Sequence, residues 1–220
     1  MKKTTFLSLV AGGALMFSLN ASAIVFVEVG DAGESLDTAQ MVGGGVTQIT
    51  GNVNGDADMF GFYWGGGSFY ANTVGSTGDT QLFLFDSSGA GIWGNDDGVS
   101  FAGPAYISDP ALSAGTYYLG ISSYDYDPYS ASGVMFQSFP WEPLYGPSNG
   151  TETLTNWDGT SFAASAYTIN FQQIDADGNP VGDPTGTGTA PTQIPEPASI
   201  ALMGLGLLGL GLQHRRKNRR

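Results

Sequence analysis

Alternation of apolar and polar positions, with no long helical period, organises the middle of the chain. Val46-Thr-Gln-Ile-Thr-Gly-Asn-Val53 alternates as a half-buried strand should. Further strands are predicted over Met59–Trp64, Ser68–Val74, Gln81–Phe85, Ala90–Trp93, Ala105–Ser108, Thr116–Ser122 and Ala166–Gln173, bounded by Gly, Asp or Asn. Leu82-Phe83-Leu84-Phe85 is continuously apolar, which suits a strand inside a sandwich. Short strands at a spacing of roughly 8–12 residues, separated by turn chemistry, predict an all-β sandwich. Glu34–Met41 predicts a single helical turn. Residues 175–193, full of Gly, Pro and Thr, read as a flexible linker.

The two ends follow other rules. Lys2 and Lys3 precede an apolar stretch from Phe6 to Leu19, and Ala21-Ser22-Ala23 supplies the small residues that a signal peptidase accepts. Residues 1–23 are thus expected to form a secretory signal helix, cut after Ala23. At the other end Ala198–Leu212 has no charge and is followed by Arg215, Arg216, Lys217, Arg219 and Arg220. An apolar run backed by clustered Lys and Arg reads as a transmembrane helix with its basic end in the cytoplasm. At about 1.5 Å per residue it reaches roughly 22 Å, short of a hydrocarbon core of about 30 Å. Such a length suits a temporary hold at the inner membrane.

Ile194 and the triplet Pro195-Glu196-Pro197 stand immediately before that helix. The triplet, the Gly/Leu-rich helix and the basic tail, in that order over residues 194–220, resemble the PEP-CTERM sorting signal. The family usually has Val where this chain has Ile194. The resemblance implies recognition by an exosortase-type processing enzyme and removal of the tail. The protein would pass from the inner membrane to the cell surface or the extracellular space of a Gram-negative cell that makes exopolysaccharide.

Charge then narrows the chemistry. All 7 Lys and Arg lie in the two ends, so residues 24–194 contain none. Those residues hold every acidic side chain except Glu196, 19 of 20. The one histidine, His214, lies in the tail, and the chain has no cysteine. Nucleophile–histidine pairs, Schiff-base lysines and Cys/His zinc sites are therefore excluded from the body. Like charge opposes nucleic acid as a partner. Carboxylate chemistry remains: calcium binding, or hydrolysis by two acids.

A run of short motifs suggests a family for the body. Gly30-Asp31-Ala32-Gly33, Thr38-Ala39-Gln40, Ile49-Thr50-Gly51 and Asp56-Ala57-Asp58-Met59-Phe60 come first. Asp79-Thr80-Gln81-Leu82-Phe83-Leu84-Phe85-Asp86, Gly89, Asn95-Asp96-Asp97 and Leu112-Ser113-Ala114-Gly115-Thr116-Tyr117-Tyr118-Leu119 complete the series. In this order they resemble the bacterial pre-peptidase C-terminal (PPC) domain. That resemblance implies a non-catalytic, jelly-roll-like antiparallel β-sandwich over residues 24–174, flanked by the signal helix and the C-terminal hydrophobic helix.

Calcium takes six to eight oxygen ligands, which clustered carboxylates provide. The candidate ligands are Glu28, Asp31, Glu34, Asp56 and Asp58, with Asp96 and Asp97 as a second group joined by Asp79 or Asp86. Turn formation and solvation are the competing readings of the same residues. An insertion over residues 124–158 carries Tyr124, Tyr126, Tyr129, Phe136, Phe139, Trp141, Tyr145 and Trp157. Its aromatics either cover one end of the sandwich or, through Trp141, Tyr145 and Trp157, stack on sugar rings.

The expected function is that of a non-enzymatic surface or matrix protein associated with exopolysaccharide in a biofilm. A carbohydrate-binding module using the insertion is the alternative, followed by a two-carboxylate glycoside hydrolase.

Overall fold

The computed structural model describes residues 24–98, 103–137, 144–160, 164–174, 180–181 and 187–188. The expected signal helix 1–23, Trp141, the Pro195-Glu196-Pro197 motif, the expected apolar helix 198–212 and the basic tail lie outside the described residues. Among those described, no helix is long and apolar enough to cross a membrane.

The strands β1 (Val25–Val27), β2 (Gln40–Met41), β3 (Gln48–Val53), β4 (Ala57–Trp64), β5 (Gly67–Asn72), β6 (Thr80–Asp86), β7 (Gly91–Asn95), β8 (Tyr106–Leu112) and β9 (Gly115–Ser123) come first. The insertion contributes β10 (Tyr126–Ser130), β11 (Gly133–Val134) and β12 (Asn156–Gly159). β13 (Ser165–Ile174) and β14 (Pro180–Val181) follow. Each of the eight expected strands is present within a few residues of its expected limits. The expected helical turn is one turn only, closed by the Ala39 N–H donating to Ser35 O at 2.9 Å.

Two sheets face one another. One has the order β1-β3-β13-β5-β8, with β14 added to β13, and the other β2-β4-β9-β6-β7. Up to β5 the chain alternates between them, strand by strand. Strands two apart in sequence therefore run the same way, and β1 with β3 and β2 with β4 pair in parallel. These two edge pairings depart from the all-antiparallel expectation. The connections that permit them exceed a dozen residues, as parallel pairing requires. Every other pairing between the described strands is antiparallel.

Phe60, Phe62 and Trp64 of β4 point between the sheets, where they meet Ile49, Phe69, Leu82, Leu84, Leu119, Ile121, Tyr167, Ile169 and Phe171. The opposite face of the second sheet is also dry. Ala57, Met59, Phe83 and Phe85 are covered there by Met135, Phe136, Tyr145 and Trp157. The insertion is thus a third layer, built on the small sheet β11-β10-β12. This explains why β4 and β6 are buried on both faces and why Leu82–Phe85 has no polar alternation.

Parts of the expected linker also join the fold. Thr187 is buried; its N–H donates to Val46 O at 2.7 Å and its hydroxyl to Gly43 O at 2.6 Å.

Candidate metal centre

The alternation along β4 puts Asp58 in phase with Phe60, Phe62 and Trp64, so its carboxylate enters the space between the sheets at one end. Asp58 is 0 % exposed, and neither of its oxygens has a hydrogen-bond partner. Glu28, just past the end of β1, and Asp31, in the following loop, approach the same point. One carboxylate oxygen from each of the three lies within 4.8 Å of the others.

The loop is built to bring these groups in. Gly30 and Gly33 take positive φ values of 75° and 65°, conformations that a residue with a Cβ adopts at a cost. The Gln40 amide clamps the backbone of Val29, accepting its N–H at 3.1 Å and donating to its carbonyl at 2.8 Å. Glu28 is held by the Ala32 N–H on Oε1 (3.1 Å) and the Asn52 N–H on Oε2 (2.9 Å). Gly51 leaves the space this requires, since a Cβ there would collide with Glu28 Oε2 and the Tyr167 hydroxyl.

Tyr167 of β13 closes the site from the other sheet. It has one hydroxyl proton and donates it to Glu28 Oε2 at 3.2 Å. The hydroxyl leans toward Asp58 as well, without closing a hydrogen bond on either of its oxygens. Burial above all, then the charges of Glu28, Asp56 and Asp31, pushes the Asp58 carboxyl up to about 8, against the opposing pull of Tyr167. Burial, then the charges of Asp58 and Glu28, push the Tyr167 hydroxyl well above the ordinary tyrosine range.

A buried, unpaired carboxylate is costly, and the body of the chain has no Lys, Arg or His to pair with it. Only a proton or a bound cation can neutralise it. The donors are all hard oxygens, which matches calcium.

Two expected ligands lie elsewhere. Glu34 Oε1 accepts the Tyr126 hydroxyl at 2.7 Å and the Ala57 N–H at 3.1 Å, tying the N-terminal loop to the insertion. Asp56 Oδ1 accepts the Asn54 N–H at 3.1 Å in a local turn and reaches Asp58 only through its charge. Both are better described as structural acids.

Asp96 and Asp97 do come together, and their third member is Asp79, with one oxygen of each within 4.8 Å of the others. Asp86 is not part of the group. Its Oδ1 takes the Ser88 hydroxyl (2.6 Å), the Ser88 N–H (2.8 Å) and the Ala90 N–H (3.1 Å). Burial opposes its charge, but these hydrogen bonds outweigh it and hold Asp86 below the usual carboxylate range.

Tyr145 and Trp157 are 7 % and 6 % exposed, packed against the second sheet. Trp157 stacks on Tyr126, and its indole N–H donates to Glu34 O at 2.8 Å. Neither ring offers a face to a sugar, because both complete the outer core. Tyr167 and Gly51, which shape the first site, escaped the sequence reading. The signal for Tyr167 was its place in an alternating strand, which reads equally as core.

No curated protein matches the chain. Residues 193–217 match the family model of the PEP-CTERM protein-sorting motif. The body belongs, by that tail, to an exported chain that is sorted at the membrane by an exosortase-type enzyme.

Proposed function

We propose that this chain is a non-enzymatic surface or extracellular-matrix protein whose β-sandwich is stabilised by calcium and associates with exopolysaccharide. The observation that carries the reading is Asp58: fully buried, without a hydrogen-bond partner, and beside Glu28 and Asp31. Calcium at these carboxylates replaces the proton that Asp58 otherwise needs, and ties β1, β4 and the loop that follows β1 together. The PPC-like order of motifs supports a binding or stabilising module over a catalytic one. The exported body carries 19 acids and no basic side chain, so its contact with an acidic polymer depends on divalent ions shared between the two.

Thermal unfolding of the purified protein with millimolar calcium, and with magnesium as control, tests this. Calcium is expected to raise the Tm specifically, and Asp58→Asn to remove that rise. The asparagine variant itself should melt close to the calcium-free parent, because the amide is as neutral as the protonated carboxyl it replaces. Equal small rises with both ions, unchanged in Asp58→Asn, would mean charge screening and would sink the calcium site. Co-sedimentation with acidic polysaccharide, in calcium and then in chelator, tests the association separately.

A further inference from the structure

The second acidic group sits where the sandwich meets the insertion. Asp79 precedes β6, Asp96 and Asp97 follow β7, and one oxygen of each lies within 4.8 Å of the others. Asp96 is 9 % exposed and its Oδ1 is buried without a partner. Asp97 Oδ1 accepts the Gly103 N–H at 3.1 Å, and Asn95, fully buried, donates to Asp97 O at 2.9 Å. Both contacts hold the loop in place.

An independent observation comes from the insertion. The Tyr145 hydroxyl is also buried without a hydrogen-bond partner, and the acids that bear on it most are Asp96, Asp127 and Asp97 in that order. The backbone N–H of Asp96 bears on it too, without closing a hydrogen bond. Two backbone hydrogen bonds with Gly94, at 2.9 and 3.0 Å, fix Tyr145 at the end of β7. Asp127 of β10 contributes from the same side, one oxygen taken by the Gln81 amide at 3.1 Å. Two unsatisfied buried oxygens thus converge, one from each layer, and no positive side chain stands among the described residues.

From this convergence we infer a second calcium site, formed by Asp79, Asp96 and Asp97 with the Tyr145 hydroxyl, that fastens the insertion to the sandwich. The hydroxyl binds as a neutral oxygen donor while the three carboxylates supply the charge. The inference stands whether or not calcium binds at Glu28, Asp31 and Asp58, because the two groups share no residue.

The test is limited proteolysis of the purified protein by chymotrypsin, with calcium, magnesium or chelator, in the parent, Asp58→Asn and Asp96→Asn. Calcium is expected to slow cleavage within residues 124–160 by tenfold or more in the parent and in Asp58→Asn. Asp96→Asn should lose that protection while keeping the parent's calcium-free cleavage rate and its circular dichroism. Calcium titration by calorimetry should show one binding step fewer in Asp96→Asn. Protection of Asp96→Asn equal to that of the parent, no protection of the parent, or equal protection by magnesium would each overturn the second site.

Discussion

At Asp58 the chain sets an ionisable group in a place where core residues belong. Its carboxyl titrates near 8, raised chiefly by burial and then by Glu28. In the unfolded chain an aspartate titrates near 4. Between those values the folded protein binds more protons than the unfolded one, so ion-free stability falls as pH rises from about 4 to about 8. Asp96, raised to about 7 by burial and then by Asp97, Asp79, Asp127 and Asp125, acts in the same direction. Calcium must displace these protons, so its affinity should climb over the same interval and its binding should release protons. Melting curves at pH 5 and pH 8 are expected to show the ion-free Tm lower at pH 8 and the calcium-induced rise larger there. Calorimetry at pH 7 in two buffers of different ionisation enthalpy measures the protons released. A calcium response of equal size at both pH values would remove Asp58 from the site.

Among the elements, β4 shows how much the sequence disclosed. Met59–Trp64 was legible as a strand from its composition. The phase that places Asp58 with Phe60, Phe62 and Trp64 was readable too, although an acid at a strand start reads as a turn residue until the partner strand is known. Glu28 and Tyr167 are 139 residues apart, and only sheet order brings them together. β1 and β2, of three and two residues, are too short to produce any period. The insertion hid its strands because Tyr, Pro, Ser and Gly alternate there without an apolar rhythm, so its aromatics fitted both a sugar platform and a covering layer. For Tyr145 and Trp157, burial separates the two readings. Trp157 sits over Gly120, where a Cβ would lie 2.8 Å from its ring, and meets Phe83 and Phe85 edge-on. Trp157→Ala is therefore expected to destabilise the protein by about 3–5 kcal/mol, as large core truncations do. Denaturant unfolding measures this; a loss below about 1 kcal/mol would show that the ring is not a core residue.

Over the whole molecule the acids are unevenly placed. Ala57 pairs with Ser122, Thr80 with Ser123 and Leu82 with Asn95, so Asp58, Asp79 and Asp96 all stand at the same end of the second sheet. Both candidate sites thus lie at one acidic end of the sandwich, with no basic side chain in the body to offset them. Self-repulsion should make the calcium-free protein respond to simple salt, its Tm rising between about 20 and 500 mM sodium chloride as the Debye length shortens. With calcium bound that rise should shrink, since the ions have already removed much of the repulsion. A salt response undiminished by calcium would show that the repulsion resides elsewhere on the surface.

The position of β13 bears on when this molecule can take shape. It lies in the middle of the first sheet, paired with β3 on one side and β5 on the other, yet it is the last long strand among the described residues. Until residue 174 has left the ribosome, β3 and β5 have no strand between them and the sheet stays open. A chain threaded through an export channel must not fold early, and postponing the central strand keeps the first sheet in a threadable state until residue 174 has been made.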